Sequence, residues 1–161
     1  MVDVVTPHQR SRMMAGIRGK NTKPEMLVRR SLFAKGLRYR LHRRDLPGMP
    51  DIVLVGRRVA IFVHGCFWHQ HQGCKYVKQP DSNKLFWENK LGGNLERDQM
   101  NMSQLLEAGW RVLVVWECFT RSNQDINKLG QELTFWIQGI EYFGEFPSSH
   151  YPKLSDNESI G

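Results

Sequence analysis

Residues 63–74, VHGCFWHQHQGC, limit more than any other stretch what this chain can fold into. They hold three of the six histidines and two of the three cysteines, with a Phe-Trp pair among them. Cys66, His71 and Cys74 form a C-x4-H-x2-C cluster. A structural zinc ion takes four N or S ligands in a tetrahedron, so a fourth ligand must come from elsewhere in the chain. Cys118 is the only cysteine left, and it closes the apolar run RVLVVWEC. With Cys118 as the fourth ligand all three cysteines are used, which accounts for an odd count that a secreted disulfide framework would not show. In a reducing compartment, thiols beside histidines read as metal ligands. The competing reading is a set of incidental buried thiols.

His64 and His69 stay outside that ligand set. His64 ends the apolar run VAIFVHG, and strand ends and their loops often carry chemistry. Histidine suits proton transfer near neutral pH. The preceding apolar run, DIVLV, is joined to VAIFVHG around Gly56-Arg57-Arg58, the pattern of an antiparallel hairpin. Closing the hairpin there brings Asp51 beside residues 63–64. A carboxylate, one or two histidines and a hard divalent ion such as magnesium fit phosphodiester hydrolysis. Glu25 is the only acid between Asp3 and Asp45. It reads either as part of that site or as a local ion pair.

The rest of the pattern completes an α/β sandwich around a mixed sheet. NTKPEMLVRRSLFAKGL predicts a helix with Thr22 as N-cap, Pro24 and Glu25 in its first turn and Gly36 at its end. Leu27, Val28, Leu32 and Phe33 fall near one face. KLFWENKLGGNLERDQMNMSQLLEAGW predicts a helix, with Gly92-Gly93 a candidate interruption and Leu95, Met102, Leu105 and Leu106 at helical spacing. RVLVVWEC reads as a central buried strand. QDINKLGQELTFWIQG predicts a last helix. Residues 8–18 fit a short basic helix. From about residue 140 the chain is rich in Ser, Pro and charge and reads as a loose tail. The expected organisation is a basic segment over 1–20, one domain over 21–139 and a tail over 140–161. No internal repeat is present.

Charge is uneven. Residues 1–50 carry 12 Lys and Arg against Asp3, Glu25 and Asp45, a balance of +9, while the whole chain stands at +7. A basic first third beside a near-neutral body points to a polyanion such as nucleic acid, against the alternative of a merely solvated basic surface. No apolar run approaches the roughly 20 residues of a membrane helix. The N-terminal MVDVVTPHQRSRMM lacks the apolar core of a signal peptide. A cytosolic protein without a membrane role is expected.

Phe67 and Trp68 are adjacent, so a regular strand cannot bury both in one core. They lie between proposed metal ligands, and Trp87 follows the polar QPDSNK at the start of a helix. Exposed aromatics near a phosphate site can stack on bases.

Five segments, RSRMMAGIRGKNTKPE, LPGMPDIV, IFVHGCFWHQHQGC, FWENKLGGNLERD and GWRVLVVWEC, occur in that order. Together they closely resemble the very short patch repair (Vsr) endonucleases, over about residues 8–120. The resemblance implies a fold similar to type II restriction endonucleases. It implies nicking of double-stranded DNA 5′ to the thymine of a T·G mismatch, which arises when 5-methylcytosine deaminates. Matched by motif, Asp51 would bind magnesium together with the backbone carbonyl of Val63, and His64, His69 and Glu25 would complete the active site. Cys66, His71, Cys74 and Cys118 would hold structural zinc. Phe67, Trp68 and Trp87 would wedge into the DNA stack, and Met14 would belong to an N-terminal segment embracing the duplex from the minor groove. The implied partners are a cytosine-5 DNA methyltransferase and mismatch-repair proteins, and the implied state is a monomer in the bacterial cytoplasm, at the nucleoid. Two departures stand out: Gly73 lengthens the His71–Cys74 spacing by one residue, and Val63 replaces a threonine. A restriction-type nuclease on matched duplex and a zinc-stabilised DNA-binding module without catalysis are the alternatives.

Overall fold

A computed structural model describes residues 21–148. The basic segment 1–20, with Met14 and the short helix expected over 8–18, lies outside the described residues, as do residues 149–161. The described chain runs α1 (Lys23–Ala34), β1 (Arg40–Leu41), β2 (Ile52–Leu54), a 3-10 turn (Val55–Arg57), β3 (Val59–His64), α2 (Lys84–Glu107), β4 (Arg111–Trp116), α3 (Glu117–Ser122), α4 (Ile126–Ile137) and β5 (Phe143–Phe146). The strands form one sheet in the order β1-β2-β3-β4-β5. β1, β2 and β3 pair antiparallel, whereas β3-β4 and β4-β5 are parallel. The mixed central sheet flanked by helices is therefore as expected.

β3 and β4 are apolar at every position but a few because both faces of the sheet are covered. Val59 and Ile61 of β3, with Leu113 and Val115 of β4, pack against Val28 and Leu32 of α1 and Leu129, Leu133 and Ile137 of α4. The alternate residues Ala60, Phe62, Val112, Val114 and Trp116 face Leu105 of α2 and the buried Cys66. Alternation thus puts His64 and Trp116 on the same face as the cysteine-rich loop.

α1 starts where its N-cap places it: Thr22 accepts from the Glu25 backbone N–H at 3.4 Å through its hydroxyl. It ends at Gly36, whose φ of +81° lets the Leu37 N–H turn back onto the Leu32 carbonyl at 3.1 Å. Phe33 departs from the expected buried face. It is 58% exposed, with the Arg38 guanidinium 4.4 Å above its ring. α2 is unbroken through Gly92-Gly93. Leu95 lies outside its buried stripe, which is carried by Leu91, Asn94 and Leu105.

The expectation of a loose tail from about residue 140 does not hold for Phe143–Phe146. These residues form β5, in parallel register with Val112–Val115 of β4, so the sheet extends past residue 139. Pairing to β4 supplies the order that local composition does not announce. Cys118, expected at a strand end, sits in the first turn of α3 instead, because β4 ends at Trp116.

Candidate active site and metal centre

The β2-β3 hairpin builds one wall of the site. Asp51 precedes β2, and its Oδ2 accepts from the Val63 backbone N–H at 2.8 Å. The carboxylate thereby continues the ladder of the hairpin beyond the last backbone pair, beside the strand end that carries His64. Gly48, in the segment before Asp51, passes close to Asn101 and Phe62. It has φ +77°, and a Cβ there would lie 2.9 Å from Asn101 Cβ and 3.1 Å from the Phe62 ring.

Burial raises the Asp51 carboxyl from 3.8 to about 6; the Val63 N–H opposes this, and nearby Glu25 adds to it. Glu25 is only 2% exposed. Its carboxylate lies 3.0 and 3.1 Å from His42 Nε2 and 3.3 Å from Arg29 Nη1. Glu25 is ion-paired with Arg29 and also lines the cleft with Asp51. Ligand atoms of Glu25, His42 and Asp51 all lie within 4.8 Å of one another. Oxygen-rich groups of this kind suit a hard divalent cation. His42 was not singled out in the sequence, where it is one basic-region histidine among arginines.

His64 is buried at 5% exposure, and its imidazole stacks on His69 with centroids 3.7 Å apart and planes within 4°. Burial, and then His69, hold the His64 pKa well below its ordinary 6.5, so the ring is neutral. His69 Nδ1 lies 2.5 Å from Asp98 Oδ2. A carboxylate at Nδ1 fixes the tautomer and leaves Nε2 for proton exchange.

Asp98 is a cleft residue that sequence reasoning missed. It stands on α2 one turn after Asn94, whose Nδ2 donates to the Trp68 carbonyl at 3.0 Å. The signal was present: Leu91, Asn94, Asp98, Met102 and Leu105 keep helical spacing, so two polar residues occupy an apolar stripe.

Phe67, Trp68 and Trp87 come together. Their centroids are 5.1, 5.6 and 5.9 Å apart pairwise, and all three are half-buried. Phe86, 55% exposed, joins them at 5.4 Å from Trp87. A cleft of about 720 Å³ is lined by Phe67 and Trp68 together with Glu25, His42, Asp51, Val63, His64, His69 and Asp98.

Beneath the loop, the ligand atoms of Cys66, His71, Cys74 and Cys118 all lie within 4.8 Å of one another. Three sulfurs and an imidazole nitrogen at that spacing suit a four-coordinate closed metal site. The loop winds tightly enough to aim them: the His71 N–H donates to the Cys66 carbonyl at 2.9 Å, and the Cys118 N–H to Cys66 Sγ at 3.4 Å. Gly73 has φ +71°, so the chain between His71 and Cys74 makes a left-handed turn. Burial raises the Cys66 and Cys118 thiols, so a metal must displace their protons on binding.

No helix among the described residues is long and apolar enough to cross a membrane. A model of the family described as DNA mismatch endonuclease Vsr matches residues 2–75. The type II nicking enzyme V.XorIIP of Xanthomonas oryzae pv. oryzae is 49% identical over 118 residues, 73% of this chain and 86% of its own length. The type II nicking enzyme V.NmeAIP of Neisseria meningitidis is 42% identical over 137 residues, 83% and 97% of the two chains. The DNA mismatch endonuclease Vsr of Escherichia coli is 41% identical over 141 residues, 86% and 90% of the two chains. Matches of this identity, each spanning most of both proteins, establish that the chain belongs to the Vsr family of DNA mismatch endonucleases.

Proposed function

We propose that this endonuclease nicks one strand of duplex DNA 5′ to the thymine of a T·G mismatch, by magnesium-dependent hydrolysis, as a monomer. One observation carries the reading. A single cleft holds a strand-end carboxylate, a carboxylate-oriented histidine and a half-exposed aromatic group. The first two suit phosphodiester hydrolysis and the third suits unstacked bases. Asp51 and the Val63 carbonyl would hold magnesium, which when bound offsets charge on the phosphate and acidifies water. Glu25, tied to His42 and Arg29, adds negative potential toward that cation.

His69 accepts the proton of the attacking water at Nε2, because Asp98 occupies Nδ1. Neutral His64 packs against it and keeps the ring in place. Phe67, Trp68 and Trp87 enter the stack, where unstacking costs least at a mismatched pair. The segment 1–20, with Met14 among its basic residues, embraces the duplex. Zinc would be held by Cys66, His71, Cys74 and Cys118 and would pin the loop that follows His64 and carries His69. A cytosine-5 methyltransferase supplies the base whose deamination makes the lesion, and mismatch-repair proteins act beside it.

The direct test uses one labelled duplex with and without a T·G pair, in magnesium. Nicking confined to the mismatched duplex is expected. Equal cutting of both would favour a restriction-type enzyme, and tight binding without cutting a DNA-binding module.

Two further results are expected of this site. Asp98→Asn and His69→Ala should each lower the single-turnover nicking rate by about a hundredfold or more, and the double variant little further, since the two act as one unit. Additive losses in that cycle would separate Asp98 from proton transfer. Trp68→Ala should weaken binding to mismatched duplex more than to matched duplex, with stacking at about 1–3 kcal/mol per base setting the scale. Both affinities are measured at one salt concentration, because phosphate contacts make them salt-dependent. Equal losses on the two duplexes would assign Trp68 to general binding.

A further inference from the structure

Trp116 has no part in the site as described, yet it touches both halves of it. It ends β4 in parallel register with His64 of β3. Residues so paired stand side by side on one face of the sheet. The indole meets the His64 ring edge-on, with centroids 5.3 Å apart and planes at 71°. On its face it carries His71, with centroids 4.1 Å apart and planes within 7°. Its Nε1 donates to Glu145 Oε2 of β5 at 3.1 Å. Only 8% of Trp116 is exposed, so these contacts are held inside the protein.

The His64 imidazole is in turn surrounded by rings: Phe62 at 5.6 Å, His69 at 3.7 Å and Trp116 at 5.3 Å. The second side-chain torsion of histidine has broad, roughly two-fold minima, so such a ring takes its orientation from what packs against it. His69 has Asp98 at one nitrogen, but the tilt of its plane follows from the His64 ring stacked upon it.

We propose that Trp116 is a positioning residue that sets the planes of His64 and His69 from the metal-ligand side of the loop, with Glu145 fixing the indole. The proposal rests on the assignment of proton transfer to His69. It gives the cysteine-histidine knot a second role: the orientation of His71 passes through the indole to the histidines of the cleft.

The experiment compares Trp116→Leu, Trp116→Phe and Glu145→Ala with the wild-type protein. It measures nicking kinetics on T·G duplex, zinc content, and the imidazole C–H resonances of histidine-labelled protein. Trp116→Leu should keep its zinc and its KM while kcat falls about tenfold or more, because small misplacements of reacting groups are costly. Trp116→Phe keeps a ring in place and should recover most of that loss. The His64 and His71 resonances should move in Trp116→Leu as the indole ring current disappears, and those of His69 should follow.

Wild-type kcat in a zinc-loaded Trp116→Leu protein would overturn the proposal. So would a loss confined to KM, or loss of zinc in both Trp116 variants. If Trp116→Leu does not fold, Glu145→Ala decides: kcat about threefold lower with moved His64 resonances supports positioning, and unchanged values for both overturn it. A wild-type protein that nicks no duplex would instead sink the assignment of function, and the resonances would still report the positioning.

Discussion

Asp51→Asn is expected to abolish nicking and, at the same time, to make the magnesium-free protein more stable at pH 8. The loss of activity should approach a thousandfold, since several kcal/mol of charge stabilisation goes with the cation and each 1.4 kcal/mol is about tenfold. The gain in stability follows from the direction of the shift. In the folded protein the Asp51 carboxyl holds its proton up to about pH 6, against an ordinary 3.8. Between those values the folded state binds more protons than the unfolded state, so stability falls as pH rises. Above both, the ionised group is a standing cost on the order of 1–3 kcal/mol. Asparagine carries no such charge, and its side-chain oxygen can still accept from the Val63 N–H.

Melting temperature in magnesium-free buffer should therefore rise by several degrees at pH 8 in the variant. The difference should shrink by pH 4.5, where wild-type Asp51 is protonated. With limiting magnesium, wild-type nicking should rise with pH through about 6 as the carboxylate forms. A variant that melts no higher than wild type at pH 8, or whose advantage persists unchanged at low pH, would show that the burial cost is not there.

Cys118→Ser should have the second large effect. Wild-type protein should contain one zinc per chain by elemental analysis, and the variant none. Melting should fall by about 10 °C, the equivalent of roughly 3 kcal/mol for a chain of this size. Nicking should be lost as well, because on the proposed reading the ion pins the loop that follows His64 and carries His69. Structural zinc contributes directly to folding free energy. A zinc-free wild-type protein that is stable and active would remove the ion from the structural account.

The features legible in the sequence are those that local rules determine. The hairpin, and with it Asp51 against Val63, followed from two apolar runs around a short turn. The ligand cluster of Cys66, His71, Cys74 and Cys118 followed from residue types that soluble chains seldom group. Asp98 was not legible as a single acid among 16. Its meaning comes from a helix face that reaches His69 only after the chain is folded. β5 was missed for a related reason: FGEF carries a glycine and little alternation, and it becomes a strand because β4 offers it an open edge. Phe33 erred the other way, since helical spacing marks a face but does not say where the covered stripe ends. The convergence of Phe67, Trp68 and Trp87 was expected, whereas Phe86 beside them was not weighed.

The parallel pairing of β3 with β4 has a consequence for how the protein matures. Parallel neighbours need a crossover, here the whole of α2, so Cys118 follows Cys66 by 52 residues. During synthesis the chain emerges from its N-terminal end at about 5–20 residues per second. His64 and the loop carrying His69 are therefore made seconds before Cys118, the last of the four clustered residues. Until β4 docks, the four clustered residues cannot meet and His64 lacks the Trp116 ring beside it. On the proposed assignment of His64 and His69, a polypeptide that stops short of α3 therefore carries the basic first third without an ordered site for hydrolysis.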